Sequence, residues 1–138
     1  MSGAFALPLR VYIEDTDAGG IVYYVNYLKY MERARTEFMR DLGYAADVLC
    51  GGTMFVVREA ALVYHAPARL DDELRVTAQP LHAAGASLRL AQDVLRGDEL
   101  LVGGRIALAH VDRDSLRPRR MAPDMLATLR RACEPRGD

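Results

Sequence analysis

The chain has 138 residues, with 18 basic and 19 acidic side chains and a formal net charge of -1. A chain of this length forms one domain with its own core, and we expect a single domain over residues 1–138. The charges are scattered along the sequence, which gives no electrostatic basis for a nucleic-acid partner or an anionic membrane surface.

The cysteines and the apolar runs predict where the protein resides. Cys50 and Cys133 have no metal-ligand or disulfide-framework spacing, which is typical of a reducing compartment. Residues 1–10 lack a basic leader followed by a sustained apolar stretch. The longest apolar run, residues 20–28, is far shorter than the roughly 20 residues of a membrane-spanning helix. We therefore expect a soluble, cytoplasmic protein with no membrane span.

The first third of the chain predicts a strand, an acidic loop and a long helix. Residues 9–13 alternate as a strand does, and an acidic loop follows at 14–20. From Asn26 onward the apolar period changes to three and four residues, which predicts an amphipathic helix of about four turns. Asn26 is a candidate N-cap and Gly43 a candidate C′ stop. The predicted buried stripe contains Leu28, Met31, Arg35, Phe38 and Leu42.

The remainder of the chain predicts a run of strands and a short closing helix at 124–132. The strand segments are 54–65, 74–79, 87–96 and 99–112. Turn residues separate them, including Pro67, Gly85 and Gly97, and Arg96-Gly97-Asp98 is predicted to be a hairpin turn. One strand, one long helix and then several strands indicate an α+β fold. We predict a curved antiparallel sheet of about five strands wrapped around one long central helix, which is the hotdog fold.

The acidic loop and the helix start form the candidate site. Asp15 and Asp17 can be explained as turn residues alone, but two glycines, Gly19 and Gly20, follow them and allow close backbone approach to a ligand. An ionised Asp17 can attack an acyl carbon or take a proton from water. Free N–H groups around residues 23–25 are candidate donors to the oxyanion. The pattern favours ester or thioester hydrolysis, with Asp15 supporting the loop.

Other chemistry has weaker support. The three histidines, His65, His82 and His110, share no metal-ligand spacing, so we predict structural or surface roles and no metal. No serine lies in a Gly-x-Ser-x-Gly motif. Cys50 has no basic neighbour that would activate its thiol. The reaction that we predict requires no cofactor.

The motifs resemble the 4-hydroxybenzoyl-CoA thioesterase family of hotdog acyl-CoA thioesterases. The positions that match its active-site pattern are Arg10, Val11, Thr16, Asp17, Gly20, Ile21, Val22, Tyr24 and Tyr27. Within the family, residues 14–20, 32–37 and 66–72 are similar to the Tol-Pal-associated branch. Together these motifs cover residues 9–119.

The resemblance implies an acyl-CoA substrate, with Asp17 as the catalytic carboxylate and the backbone amide of Tyr24 polarising the thioester carbonyl. We expect a homo-oligomer, either a dimer or a homotetramer, with sites at subunit interfaces. An acyl carrier protein is a further candidate partner. The residues expected to bind substrate are Gly19, Gly20, Val22, Tyr23 and Asn26.

Two departures from the family pattern affect the substrate prediction. Tyr24 stands where the Tol-Pal-associated branch commonly has histidine and the aromatic-substrate branch has tyrosine. Residues 82–86 lack the basic side chains that bind CoA phosphates in the aromatic branch, so Arg89 or the loop at 113–120 would have to serve. A solvated connection before the C-terminal helix is the more common role of such a loop.

The same residues are compatible with two other functions. A binding module for acyl-CoA or an acyl carrier protein is the main alternative to an enzyme. A hotdog dehydratase is less favoured, because residues 17–27 contain no histidine for its chemistry.

Overall fold

This computed structural model describes residues 5–133, apart from the side chain of Val48. Residues 1–4 and 134–138 lie outside the described residues. The predicted domain over residues 1–138 includes them, and residues 1–10, which are not expected to form a leader, include the first four. The elements in chain order are β1 (Phe5–Arg10), α1 (Asn26–Asp41), α2 (Ala45–Cys50), β2 (Thr53–Tyr64), β3 (Glu73–Ala84), β4 (Ser87–Arg96), β5 (Glu99–Asp112) and α3 (Pro123–Ala132).

The five strands form one antiparallel sheet in the order β1-β3-β4-β5-β2. Its inner face packs against α1, which is the central helix, and the buried core lies between the two. The prediction of an α+β fold with a five-stranded curved sheet around one long helix is confirmed. Among the described residues, no helix is both long and apolar enough to cross a membrane.

The middle of α1 lies directly against the sheet. Tyr30, Met31 and Ala34 have no exposed surface. A Cβ atom at Gly104 of β5 would lie 2.9 Å from Met31 Cε and 2.8 Å from the carbonyl oxygen of Gln92. Glycine at this position therefore permits the close approach of helix and sheet.

At the ends of α1, the predicted stop at Gly43 agrees with the structure, whereas the predicted burial of Leu28 does not. Gly43 adopts a φ of 93° just after the helix, so the predicted C′ stop is confirmed. Leu28 is 41% exposed, so its predicted place in the buried stripe is wrong. Tyr27, Tyr30 and Met31 occupy the side of the helix that faces the core. Leu28 follows Tyr27 by one residue and lies outside that side.

The bounds of two strands were predicted incorrectly, and one short helix was not predicted. β1 ends at Arg10 because the carboxylate of Asp15 accepts the Tyr12 N–H at 2.9 Å, which turns the chain into a 3-10 turn at Ile13–Asp15. β3 continues through Pro80, and its register with β4 shifts between Pro80 and His82, an irregularity of the kind at which a strand tolerates proline. The short helix α2 was not predicted, because six residues show no helical period.

Candidate active site

Residues 16–22 form a tight hairpin that presents Asp17. Thr16 and Val22 pair across its base, and the Asp17 N–H donates to the carbonyl of Ile21 at 2.9 Å. The Gly20 N–H donates back to the Asp17 carbonyl at 3.1 Å, with a φ of 79° at Gly20. That left-handed conformation favours glycine. The turn leaves Asp17 exposed at its first position.

The hairpin is fixed to residues 66–72, which we call the 66–72 segment. The Val22 N–H donates to the Ala68 carbonyl at 2.9 Å, and the Leu70 N–H donates to the Gly20 carbonyl at 3.2 Å. The Ala68 N–H in turn donates to the Tyr27 hydroxyl at 2.9 Å. Because Tyr27 belongs to α1, this chain of bonds ties the hairpin to the first turn of the helix. Burial raises the pKa of Tyr27, and the bond from Ala68 opposes that rise.

Asp72 holds the far end of the 66–72 segment. Its Oδ2 accepts the Arg69 N–H at 2.8 Å and pairs with Arg96 at 2.6 Å. Burial acts to raise the pKa of Asp72, but the Arg69 N–H and the Arg96 guanidinium outweigh it and hold that pKa below its ordinary value. The charged carboxylate therefore fixes the segment that supports the hairpin.

Asp15 is an architectural residue of the loop, as the sequence indicated. It is buried, and its carbonyl oxygen accepts the Tyr23 N–H at 2.9 Å and the Asn26 Nδ2 at 2.8 Å. The predicted N-cap role of Asn26 is therefore wrong: Val25 occupies the N-cap, and the Asn26 amide serves the loop instead. The Tyr23 N–H is likewise occupied and is not an oxyanion donor.

Two backbone donors remain available at the start of α1. Within the described part of the chain, the N–H groups of Tyr24 and Val25 donate no hydrogen bond. Both lie at the positive end of the helix dipole, where unpaired N–H groups attract negative charge. Of the amides predicted at 23–25, these two can stabilise an oxyanion.

The Asp17 carboxylate is held at one oxygen only. Its Oδ1 accepts the Gly19 N–H at 2.8 Å, and among the described residues its Oδ2 has no hydrogen-bond partner. A Cβ atom at Gly19 would lie 3.3 Å from Oδ1, so glycine keeps the space around the carboxylate open. The second oxygen is available to a substrate or a water molecule.

A groove of about 350 Å³ lies beside this loop. It is lined by Ile21, Val22, Tyr24, Tyr27, Tyr64, His65, Ala66 and Pro67. Of the predicted site residues, Val22 and Tyr24 line the groove. Asp17, Gly19, Gly20, Tyr23 and Asn26 are not among its lining residues. The Tyr24 ring packs edge-on against Tyr64, with 6.2 Å between ring centroids.

Sequence reasoning missed the contribution of the end of β2 to this groove. Tyr64 and His65 reach it because β2 ends beside the first turn of α1, and burial raises the pKa of the Tyr64 hydroxyl. No local pattern marked either residue. His65 was predicted to be structural or on the surface, and it is exposed with its side chain at the groove.

His110 and the arginines of the loop at 113–120 do not line the groove beside Tyr24. His110 is buried, and its Nδ1 donates to the Arg119 carbonyl at 2.7 Å. In the loop at 113–120, Arg113 donates to the Gly51 carbonyl at 2.6 Å and Arg119 pairs with Asp112 at 2.8 Å. Among residues 5–133, no group of three or more His, Cys, Asp or Glu side chains is placed to hold a metal ion.

Comparison with known proteins gives consistent matches. A family model described as thioesterase superfamily matches residues 19–103. The acyl-CoA thioester hydrolase YbgC of Escherichia coli O157:H7 is 36% identical over 128 residues, which cover 91% of this chain and 96% of the relative. The acyl-CoA thioesterase YbgC of Haemophilus influenzae is 38% identical over 120 residues, covering 86% and 88%.

The solved structures include a probable thioesterase from Bartonella henselae with a TM-score of 0.78 and 32% identity. The match covers 86% of this chain and 98% of that chain. The family model therefore covers the central helix and strands β2 to β4, and the relatives match most of the chain.

Proposed function

Because this chain belongs to the thioesterase superfamily, we propose that it hydrolyses an acyl-CoA thioester to a free carboxylic acid and CoA. The resemblance to acyl-CoA thioesterases of the Tol-Pal-associated branch is confirmed by the YbgC relatives. One observation supports the proposed chemistry. Among the described residues, one carboxylate oxygen of Asp17 and the N–H of Tyr24 have no hydrogen-bond partner, and the hairpin that carries Asp17 is tied to the helix end that carries Tyr24.

In the proposed reaction, the Tyr24 N–H donates to the thioester oxygen as it becomes an oxyanion. With Asp17 as general base, a water molecule loses a proton to Asp17 and its oxygen bonds to the acyl carbon. The tetrahedral intermediate then collapses, the C–S bond breaks, and the departing CoA thiolate receives the proton from Asp17.

Asp17 as nucleophile is the second route. Its carboxylate oxygen bonds to the acyl carbon and expels CoA thiolate, which leaves a mixed anhydride on the enzyme. Water then cleaves the anhydride and restores the carboxylate. Both routes use the same oxyanion donor and need no cofactor.

The predicted binding residues have distinct roles in this proposal. Gly19 and Gly20 let the thioester approach the loop backbone, and Val22 forms part of the groove wall. Tyr23 packs against Tyr24 with 5.2 Å between ring centroids and an angle of 53° between the ring planes. Asn26 holds the loop through the Asp15 carbonyl and so acts as a positioning residue. The aromatic groove accepts the apolar acyl group.

We extend the proposal to assembly and location. β2 pairs only with β5 and carries exposed Val57, Val63 and Tyr64, so one strand edge has no partner within the described chain. Unpaired apolar edges favour association with another copy, here a homotetramer or a dimer.

The sparse cysteine content supports a cytoplasmic location. An acyl carrier protein is the alternative thioester carrier.

A panel of acyl-CoA substrates tests the proposed activity. Thiol release is measured for acyl groups matched in size, some short and aliphatic and others aromatic, alongside thermal stabilisation by each compound. We expect thiol release from at least one series. Stabilisation by acyl-CoA without thiol release from any substrate would contradict the enzyme proposal and support a binding module.

A further inference from the structure

Arg35 occupies a position in α1 where an apolar residue is expected. It lies in the predicted buried stripe, and its side chain contacts the sheet below the helix. Its Nη1 donates to Gln92 Oε1 at 3.0 Å. Gln92 has no exposed surface, and its own amide donates to the carbonyls of Met31 at 3.0 Å and Thr77 at 3.1 Å. Gln92 is therefore fixed from three sides and holds the guanidinium of the partly buried Arg35 against the sheet.

The charge of Arg35 has no counterion within the chain that the structure describes, since no carboxylate lies within 4.0 Å. Glu32, one turn earlier, is exposed and does not reach it. Burial lowers the pKa of Arg35, and the charge of Glu32 only partly opposes this. A guanidinium offers five N–H donors, whereas Gln92 accepts from one. Arg35 is only partly exposed, and withdrawing a charge from water without a paired counterion is costly.

A cavity of about 190 Å³ opens beside Arg35, between α1 and the sheet. Its polar groups are on α1, from Glu32, Arg35 and Thr36. The rest of the wall is apolar and consists of Phe38, Met39, Leu49, Phe55, Leu88, Leu90 and Leu108. An apolar protein cavity of roughly 150 Å³ accommodates a benzene ring. This cavity therefore has room for one ring or a short branched chain, with a cation at one side.

We propose that this cavity binds a small carboxylate with an apolar body of about the size of benzoate. The carboxylate pairs with the Arg35 guanidinium, and the apolar body packs against Leu88, Leu90 and Leu108. The cavity shares no lining residue with the groove at Tyr24, so binding does not require the proposed hydrolysis. The ligand can be a free acid from solution or the acid that hydrolysis releases.

Titration calorimetry with benzoate tests the proposal, with benzamide as the neutral control of similar shape. Wild-type protein should bind benzoate at least about tenfold more tightly than benzamide. Arg35→Met retains the length of the side chain without its charge and should abolish that preference. Asp17→Asn should retain the preference, because Asp17 lies outside the cavity.

Three results would overturn the proposal. The first is that the wild type binds benzoate and benzamide equally tightly. The second is that Arg35→Met still prefers benzoate, and the third is that Asp17→Asn loses the preference for benzoate. If Arg35→Met does not fold, methyl NMR spectra of the wild type give an independent test. Benzoate should shift the methyl signals of Leu88, Leu90 and Leu108, and shifts confined to Val22 and the groove would contradict the assignment.

Adding an acyl-CoA in place of free benzoate tests whether the cavity receives a free acid or the acyl group of the thioester. With the Asp17→Asn variant, the methyl signals of the cavity should respond to free benzoate and stay unchanged with benzoyl-CoA. A response to benzoyl-CoA in that variant would show that the cavity receives the acyl group itself and would overturn the assignment to a free acid.

Discussion

Polar groups near the first turn of α1 and polar groups near its middle differ in whether they have hydrogen-bond partners. At the start of the helix, the N–H groups of Tyr24 and Val25 and one oxygen of Asp17 face outward without a partner among the described residues. In the middle, Tyr30 and Met31 are fully buried, and Gln92 is bonded from several sides. The same helix therefore provides reactive groups at one end and stability in its middle, and substitutions should separate these two contributions.

Asp17→Asn should produce the largest loss of activity. Asn keeps the shape and can still accept the Gly19 N–H, but it is neither a base nor a nucleophile. We expect kcat for acyl-CoA hydrolysis to fall by roughly 10²- to 10⁴-fold, with the free energy of unfolding changed by less than about 0.5 kcal/mol. Glu14→Gln, an exposed change in the same loop, is the control for loss of charge and should retain kcat.

Tyr24→Pro tests the backbone donor, because proline has no N–H. The loss of an oxyanion donor should lower kcat by roughly 10²- to 10³-fold. Tyr24→Phe keeps the N–H and removes only the hydroxyl, so it should retain most of the activity. A large loss in both variants, with α1 intact by circular dichroism, would assign the effect to the hydroxyl and not to the amide.

Tyr27→Phe and Tyr30→Phe form a matched pair in the interior. The Tyr27 hydroxyl accepts the buried Ala68 N–H, so its loss should cost about 1–3 kcal/mol in urea unfolding. The buried Tyr30 hydroxyl has no hydrogen-bond partner among the described residues. Burial, followed by the charge of the nearby Asp15, raises the pKa of Tyr30.

Tyr30→Phe should therefore leave stability unchanged or raise it slightly. An equal loss in both variants would contradict the assignment of Tyr27 as the residue that fixes the 66–72 segment to α1.

The Asp72–Arg96 pair should give a smaller, pH-dependent effect. Because the pKa of Asp72 is lowered on folding, the unfolded state binds the proton more readily. The pair should contribute stability above the unfolded pKa of about 3.9 and lose it as pH falls through the lower folded value. Urea midpoints of the wild type and Asp72→Asn should therefore converge between pH 6 and pH 2.5. A constant difference over that range would contradict the lowered pKa.

The sequence predicted those features that depend on local chemistry. The central helix, the hairpin at Gly97 and the exposed Asp17 loop follow from periodicity, turn residues and glycine placement. The continuation of β3 through Pro80 could not be predicted, since it depends on the shift in register between β3 and β4 at that point. His65 joins the groove only through the position where β2 ends.

Arg35 shows a different limit of sequence reasoning. Its place in an apolar stripe was visible in the sequence. Its lack of a counterion among residues 5–133 and the cavity beside it depend on the packing of α1 against β4 and β5. The occupied N–H of Tyr23 is a similar case, since only the folded loop brings it to the Asp15 carbonyl. Contacts between distant segments decide which polar groups are used and which are left available.

Single-turnover hydrolysis by Asp17→Asn tests the central claim most directly, because it separates binding from chemistry. An excess of the variant is mixed with an acyl-CoA that the wild type hydrolyses, and both the dissociation constant and the rate of thiol release are measured. We predict an unchanged dissociation constant and thiol release at least about 10²-fold slower than in the wild type. Thiol release at the wild-type rate from the bound complex would contradict the assignment of the chemistry to Asp17.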